Sequence, residues 1–482
     1  MTDLIDKLNK LAGISEALEP TQENRHELIA AFQNYADWFI NGVDERNSFS
    51  LSQANAERLR IGSETKSIDE ILELYSEEVV AHGINPASGG HIGYIPGGGI
   101  FLSSLGDFLA DISNQYAGMY FGGPGAVTIE NELINWMKGV FGFPDSAIGN
   151  LTSGGSIANL IALTAARDKH SIKGGRIEKS VVYLSPQAHH CIQKALRIIG
   201  LEDIVIRHLI LDEHSRIIPE ALDEQIRADK KEGLEPFIVI ASAGTTDTGA
   251  VDPLNALADI AAENGLWYHI DAAYGGFFIL TDRARSAFKG IDRADSLVVD
   301  PHKGLFLPYG LGAVLIKDKE AVFHSNHYTA NYMQDAVDSN LPLNPADVSP
   351  ELTKHFRGLR LWLPLQVHGI APFKACLEEK LYLTDYFRLR LKEAGLQIGP
   401  KPDLSVSYFW YETDRTDQNE FNKALMHNIH LDGRIFLSST KIDGMEVIRM
   451  AILSFRTKRQ TIDTCMEMIS KCLEKTRREF GV

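Results

Sequence analysis

Cysteine is scarce in this sequence, which has four among 482 residues. The four, Cys191, Cys376, Cys465 and Cys472, lie far apart and form no C-x-x-C pair or other spacing typical of zinc ligands. Scarce, scattered cysteines are typical of proteins that stay in the reducing cytoplasm. We therefore expect a cytoplasmic protein with no bound metal.

Long hydrophobic runs and a basic leader are absent as well. No stretch approaches the roughly 20 apolar residues that span a bilayer, and residues 1–7 carry acidic side chains where a signal peptide would be basic. Basic residues are outnumbered, 48 against 64 acidic ones, which gives a net charge of −16. Because this charge repels nucleic acids and anionic membranes, the expected partner is a small molecule.

Two nucleotide-binding motifs are also missing. The chain has no Gly-Lys dipeptide, which excludes the Walker phosphate loop, and no G-x-G-x-x-G turn leads from a predicted strand into a helix. Binding of a dinucleotide therefore lacks its usual fingerprint.

The sequence does contain a regular alternation of helical and strand-like segments. Roughly the first 85 residues have apolar positions at helical spacing. Farther along, short continuous apolar runs alternate with helical stretches, at 181–184, 204–206, 237–240, 268–270 and 297–299. Continuous apolar runs indicate strands buried on both faces, so the alternation predicts an α/β core with a mainly parallel sheet.

These segments group into three regions. Residues 1–86 form a predicted helical segment, residues 87–370 a large α/β domain, and residues 371–482 a smaller C-terminal α+β domain. A glycine-rich passage at 88–99 cannot be regular helix and is predicted to form turns.

One lysine stands out by its position. Lys303 belongs to the segment 300–304, Asp-Pro-His-Lys-Gly, which directly follows the apolar run 297–299. Ligands bind at the end of such a strand, and an amine that is partly desolvated there loses its proton more readily and can form a Schiff base. By itself, the pattern also fits a lysine that reaches from a strand end into solvent.

An aspartate ends another predicted strand. Asp271 follows the run 268–270, and a buried carboxylate must be paired or protonated. The ring nitrogen of pyridoxal phosphate is a suitable partner, because keeping that nitrogen protonated makes the ring an electron sink. The alternative is a structural aspartate that caps the next turn.

Two further segments fit the same cofactor. Residues 153–156, Ser-Gly-Gly-Ser, lead into a helical stretch, where small residues and a helix N-terminus favour a phosphate. His189 or His190 follows the run 181–184, and an imidazole there can stack on a flat ring. A glycine-serine turn at a helix start and a loop histidine are the ordinary alternatives.

Together, the four features resemble the pyridoxal phosphate-dependent group II amino acid decarboxylases, a family that includes aromatic amino acid, tyrosine, glutamate, histidine and 2,4-diaminobutyrate decarboxylases. The resemblance runs from His91 through Arg456. It implies the fold-type-I architecture of pyridoxal phosphate enzymes and decarboxylation of an L-amino acid to an amine and CO2.

The resemblance also implies roles for single residues. Lys303 resembles the Schiff-base lysine and Asp271 the partner of the ring nitrogen, while Ala273 and His189 resemble the residues on the two ring faces. Four more match residues of the phosphate and cofactor site, namely Gly155, Ser156, Thr246 and His302.

Members of this family are homodimers that share the active site between subunits, which implies that segment 1–86 packs across the dimer. A tyrosine on a loop of the neighbouring subunit is their proton donor, which Tyr332 resembles, with Tyr328 as second choice; either one could also be an ordinary loop aromatic. Aldehyde-forming relatives lack that tyrosine, so its presence favours simple decarboxylation.

Other functions remain open at this point. The same cofactor also serves carbon–carbon lyases, aldehyde-forming decarboxylases and aminotransferases, and a degenerate fold could serve binding alone, which the intact Lys303, Asp271 and His189 disfavour. The substrate is not determined. Gly97 stands where aromatic decarboxylases carry a threonine, and this difference counts against an aromatic substrate.

Overall fold

The computed structural model describes residues 1–326 and 342–482. Its N-terminal region is mainly helical, as predicted, with turns and irregular backbone at residues 51–67. The elements in this region are α1 (Thr2–Ser15), α2 (Gln22–Asn41), β1 (Phe49–Ser50), α3 (Ile68–Tyr75) and β2 (Gly83–Ile84). β1 and β2 pair with each other in antiparallel fashion.

The central region contains a seven-stranded sheet with helices around it. Its strands are β3 (Ile148–Thr152), β4 (Ser180–Leu184), β5 (Val205–His208), β6 (Glu235–Ser242), β7 (Trp267–Asp271), β8 (Ser296–Val299) and β9 (Gly312–Ile316). Its helices are α4 (Phe101–Ser113), α5 (Pro124–Phe141), α6 (Gly155–Lys169), α7 (Cys191–Ile198), α8 (Pro219–Lys231), α9 (Leu254–Asn264), α10 (Pro301–Gly304) and α11 (Lys319–Asn326).

The sheet is mainly parallel, as predicted. Its strand order is β3-β9-β8-β7-β6-β4-β5, and only β9 runs antiparallel to its neighbours. Alternate residues of β8 enter different cores: Leu297 and Val299 pack on one face of the sheet and Val298 on the other. Burial on both faces explains why these strands are continuous apolar runs.

The C-terminal region is the expected smaller α+β unit. Its strands are β10 (Gln397–Ile398), β11 (Val406–Trp410), β12 (Ser438–Ile442) and β13 (Met445–Ala451), all antiparallel, in the order β10-β11-β13-β12. Its helices and those that precede it are α12 (Leu359–His368), α13 (Ala371–Glu393), α14 (Gln418–Asp432) and α15 (Arg459–Phe480). The division of the chain at residues 86 and 370 stays a prediction. Within the described ranges, no helix is long and apolar enough to cross a membrane.

Six strands of the large sheet end at the same edge. β4, β5, β6, β7 and β8 are parallel, and β3 runs in their direction because both β3 and β8 are antiparallel to β9. The turns that follow these strands therefore lie side by side, as expected for a binding site in an α/β fold.

The glycine-rich passage forms turns and joins this edge to the C-terminal sheet. Ile92 donates its N–H to the carbonyl of Phe436 and accepts the N–H of Ala451. At Gly97, a Cβ atom would lie 2.2 Å from the carbonyl oxygen of His302. Only glycine lets the passage lie this close to the turn that carries Lys303.

We predict that Gly97→Ala pushes this turn out of place. Overpacking of this kind costs about 1–3 kcal/mol, so the melting temperature falls. Thermal unfolding measures this effect. Gly125→Ala is the matched control, since a Cβ at Gly125 meets nothing within 4 Å. Wild-type behaviour of Gly97→Ala would contradict the packing argument.

Candidate active site

A cavity of about 390 Å³ opens at the edge of the sheet where these strands end. It is lined by residues of the turns after β3, β4, β6, β7 and β8. Every predicted site residue in the described ranges lines it, namely Gly155, Ser156, His189, Thr246, Asp271, Ala273, His302 and Lys303. Tyr332 and Tyr328 lie outside the described residues.

Lys303 is held in the four-residue helix α10, which starts with Pro301 directly after β8. Proline suits the first helical position because its missing N–H needs no partner there. The Lys303 Nζ lies 2.9 Å from Oδ2 of Asp300, whose side chain is 2% exposed. The lysine is thus paired inside the cavity and does not extend into solvent.

From the sequence we expected the Lys303 amine to lose its proton more readily than usual, and this prediction is wrong for the described structure. Burial lowers the pKa of the Lys303 amine, but the charge and hydrogen bond of Asp300, with a smaller contribution from Asp271, outweigh it. The net effect raises the pKa, so Asp300 holds the amine in its protonated form. The sequence indicated the desolvation but not the carboxylate that opposes it.

Asp300 was not assigned a role from the sequence, although it has the same signal as Asp271, an aspartate at the end of an apolar run. Its Oδ1 is buried and has no hydrogen-bond partner among the residues that the structure describes. Its side chain fills the space that two glycines leave open. A Cβ at Gly155 would lie 3.0 Å from Oδ2, and one at Gly312 would lie 2.6 Å from Oδ1.

Asp271 occupies the end of β7 with both oxygens engaged. Oδ1 accepts the N–H of Ala273 at 3.0 Å, and Oδ2 accepts from Asn159 Nδ2 at 3.2 Å. The first bond is the turn cap that the sequence left as an alternative. Because the residue also lines the cavity, the cap and a ligand-facing carboxylate coexist.

The N-terminus of α6 lies at the cavity, which its first residues, Gly155, Ser156 and Ile157, line. No side chain in the described part of the chain caps this helix. The first N–H groups of a helix lack intrahelical partners and carry partial positive charge, so they favour an anion. A Cβ at Gly154 would lie 3.4 Å from His302 Cε1, which places the histidine beside the same site.

The structure distinguishes between the two candidate histidines. His189 is half-buried and lines the cavity, whereas His190 is exposed. Burial lowers the pKa of His189, against a smaller opposing effect of Asp271. Its Nδ1 accepts the N–H of Cys191 at 3.3 Å, which fixes the plane of the ring.

Thr246 and His302 are each fixed through a backbone carbonyl. Arg449, which the sequence analysis did not assign, is 2% exposed and donates from Nε to the carbonyl of Thr246 at 2.8 Å. His302 Nδ1 donates to the carbonyl of Leu311 at 2.6 Å. Its Nε2 lies 3.8 Å from Oδ2 of Asp300.

The chemistry of this cavity fits pyridoxal phosphate. It combines an amine, a carboxylate, an uncapped helix N-terminus and an imidazole, and Asp300 has a buried oxygen without a partner among the described residues. In the same order, these four groups suit the aldehyde, the ring nitrogen, the phosphate and the flat ring of the cofactor. The fold and this set of residues define a pyridoxal phosphate-dependent enzyme.

Comparisons with known proteins support this class. The family model of the pyridoxal-dependent decarboxylase conserved domain matches residues 53–411. The chain is 36% identical over 421 residues to the aromatic-L-amino-acid decarboxylase of Bacillus atrophaeus, covering 86% of each chain. It is 27% identical to a phenylacetaldehyde synthase of Arabidopsis thaliana, covering 84% of this chain and 86% of that protein.

A solved structure shows the same fold. The tryptophan decarboxylase of Catharanthus roseus in complex with L-tryptophan superimposes with a TM-score of 0.86 at 22% identity, covering 95% of this chain and 99% of that one. The chain belongs to the pyridoxal-dependent decarboxylase family. It uses pyridoxal phosphate to decarboxylate an L-amino acid to the corresponding amine and CO2. The match begins earlier and ends earlier than the predicted range of His91 to Arg456.

We predict that Asp300→Asn lets Lys303 react with the cofactor at lower pH. Removing the carboxylate that raises the pKa of Lys303 leaves burial, which lowers it. The unprotonated amine, which attacks the aldehyde of the cofactor, then forms at a lower pH. Stopped-flow absorbance after mixing apoenzyme with pyridoxal phosphate over a pH series measures the shift.

Asp282→Asn is the control for this experiment, since it removes a carboxylate that pairs with Lys374 at 2.9 Å on the surface. Its pH profile should match that of the wild type. A profile of Asp300→Asn that is unshifted, or shifted to higher pH, would refute the role of Asp300.

Proposed function

We propose that the substrate is an aromatic L-amino acid. The observation that carries this proposal is the 36% identity, over 86% of both chains, to a protein named aromatic-L-amino-acid decarboxylase. Tyr94 lies near the cavity, because Arg449 donates to the carbonyls of both Tyr94 and the cavity residue Thr246. Tyr94 is 59% exposed, and its ring packs against Phe436 with ring centroids 5.4 Å apart, so it offers an aromatic surface. Aromatic side chains pair well with such rings.

The position of Arg449 also favours an uncharged side chain. Its guanidinium is buried beside the cavity, but it already donates to the carbonyls of Thr246 and Tyr94. A substrate with an acidic side chain would need a free cation, which Arg449 does not supply. Gly97 carries less weight against an aromatic substrate than the sequence suggested, because its missing side chain would meet the backbone of His302.

We propose the following roles for the cavity residues. Lys303 forms the covalent link to the cofactor, and Asp271 pairs with the ring nitrogen. Ala273 and His189 lie against the two faces of the ring. The phosphate and its surroundings are bound by Gly155, Ser156, Thr246 and His302. The support is that all eight line one cavity, with Lys303 and Asp271 both inside it.

Residues of this chain would each contribute one part of the reaction. Pyridoxal phosphate, when bound, would supply an electron sink for the pair left on the α-carbon when the carboxylate departs as CO2. Asp271 holds a proton at the ring nitrogen of the cofactor, and His189 fixes the plane of the cofactor ring. Asp300 would hold the Lys303 Nζ whenever this amine is not bonded to the cofactor, as it does in this structure, where Nζ lies 2.9 Å from Oδ2. A proton delivered to the α-carbon completes the amine.

We propose a homodimer that shares the active site. All 14 residues of α1 are exposed, including the apolar face formed by Leu4, Leu8 and Leu11, which are 61%, 56% and 63% exposed. Exposed apolar stripes on a helix are typical of protein interfaces. Analytical ultracentrifugation tests the dimer, and a fully active monomer would contradict it. A cytoplasmic location stays a prediction from the cysteine content.

Lys303→Ala tests the covalent role and the reaction together. We expect loss of the visible absorbance of the lysine-linked cofactor and loss of turnover by at least about a thousandfold, since the nucleophile is removed. Mass spectrometry of products from separate incubations with phenylalanine, tyrosine, tryptophan and glutamate identifies the substrate. The wild type should release CO2 and the amine of an aromatic substrate. Amine from glutamate alone would refute the aromatic assignment.

Tyr332→Phe tests the proton donor. If the Tyr332 hydroxyl delivers the proton, this variant binds the cofactor normally but forms amine more slowly, by about 10²-fold or more, or forms aldehyde. Aldehyde is the second candidate product, because relatives include phenylacetaldehyde synthases. Tyr328→Phe is the matched control. An effect confined to Tyr328→Phe would transfer the role to that residue.

A further inference from the structure

A continuous series of hydrogen bonds leads from Asp271 through Asn159, which also lines the cavity, into the protein interior. Asn159 Nδ2 donates to Asp271 Oδ2 at 3.2 Å, and Asn159 Oδ1 lies 2.7 Å from His269 Nε2. His269 Nδ1 lies 2.8 Å from Ser296 Oγ, which accepts from Trp267 Nε1 at 2.8 Å. We call these four residues, Asn159, His269, Ser296 and Trp267, the Asp271 support chain.

The position of each proton in the support chain follows from whether each group can donate or accept a hydrogen bond. Asp271 accepts, so Asn159 turns its Nδ2 toward it and its Oδ1 toward His269. That oxygen can only accept, so His269 carries its proton on Nε2. Burial lowers the pKa of His269 to about 4, so the ring is neutral near pH 7 and its Nδ1 accepts. Ser296 then donates to Nδ1, and its oxygen accepts from Trp267.

The surroundings of the support chain argue against a purely structural purpose. Asn159, His269 and Ser296 are completely buried, and Trp267 packs with the apolar residues on one face of the large sheet. Burying polar groups there costs free energy that apolar side chains of similar size would avoid. The Asp271 support chain ends at Asp271, whose carboxylate lies in the active-site cavity.

We propose that Asn159 and His269 are positioning residues that set the orientation of the Asp271 carboxylate toward the cofactor ring nitrogen. The inference rests on the role proposed for Asp271. Because Ala273 N–H binds Oδ1 and Asn159 binds Oδ2, the carboxylate has one orientation in the cavity. The asparagine alone could rotate its amide, but the single N–H of neutral His269 holds it in the required direction.

The test compares Asn159→Ala, His269→Leu, His269→Gln and Ser296→Ala as holoenzymes. Without substrate, the absorbance and circular dichroism of the bound cofactor report the state of its ring. Loss of one hydrogen bond to a charged group corresponds to roughly tenfold or more. We therefore expect Asn159→Ala and His269→Leu to change the cofactor spectrum, weaken cofactor binding and lower kcat by about that factor, with KM less affected.

The conservative variant distinguishes positioning from packing. His269→Gln retains an N–H that can take the place of Nε2–H, so we expect it to recover part of the spectrum and of kcat. Ser296→Ala keeps the imidazole and should have a smaller effect in the same direction. If His269→Leu does not fold, Asn159→Ala and Ser296→Ala decide the question.

Asn428→Ala is the matched control. Asn428 is also a buried amide that donates to a carboxylate, Glu479 at 2.9 Å, but it lies in the C-terminal region. It should lower the melting temperature and leave the cofactor spectrum and kcat unchanged. Folded Asn159→Ala and Ser296→Ala enzymes with wild-type spectra, cofactor affinities and kcat would overturn the proposal.

Asp271→Asn separates this inference from the proposed function on which it rests. If it abolishes the spectrum and turnover while the support-chain variants behave as wild type, only the positioning role is refuted. If Asp271→Asn also behaves as wild type, the role of Asp271 itself is wrong.

Discussion

Every charge buried at the carboxyl edge of the large sheet needs a partner, and this requirement determines much of the cavity. Lys303 pairs with Asp300 at 2.9 Å, and Asp271 receives one hydrogen bond on each oxygen. Arg449 is satisfied by backbone carbonyls on two separate loops. These pairings keep charged groups in place inside a low-dielectric site, where an unpaired charge would be costly. The cofactor enters a site whose charges are already arranged.

The pairing of Asp300 with Lys303 has a second consequence, besides keeping both charges in place. The carboxylate that holds the Lys303 amine protonated is also the group that, in our proposal, receives this amine when a substrate amine takes its place. The glycines at positions 155 and 312 are then explained by the space that Asp300 fills. Lys303, Asp300, Gly155 and Gly312 thus form one packed group.

Local sequence patterns predicted the parallel strands well, because burial on both faces leaves a continuous apolar run. β3 was missed, since Gly149 and Asn150 interrupt its run, and β9 was missed although its five residues are apolar. The antiparallel direction of β9 depends on a long-range connection that no local pattern shows. All eight site residues predicted within the described ranges line one cavity. Gly155 and Ser156 follow the missed strand β3, so the family resemblance and not a predicted strand end pointed to them, and the individual roles of all eight stay predictions.

The partners of those residues were harder to predict. Asn159 precedes Asp271 by 112 positions, and nothing in the sequence indicates that its amide meets that carboxylate. The pKa of Lys303 was predicted in the wrong direction for the same reason, since burial is visible in a sequence pattern but side-chain orientation is not. Tyr332, outside the described residues, stays a prediction.

The central claim is that Lys303 is the residue that carries the cofactor. The most direct measurement is borohydride reduction of the holoenzyme, which converts a lysine–cofactor imine into a stable amine, followed by digestion and mass spectrometry of the peptides. The account predicts the cofactor label on the peptide that contains Lys303, in one-to-one ratio with the chain. A label on a different lysine, or no label in an active enzyme, would contradict it.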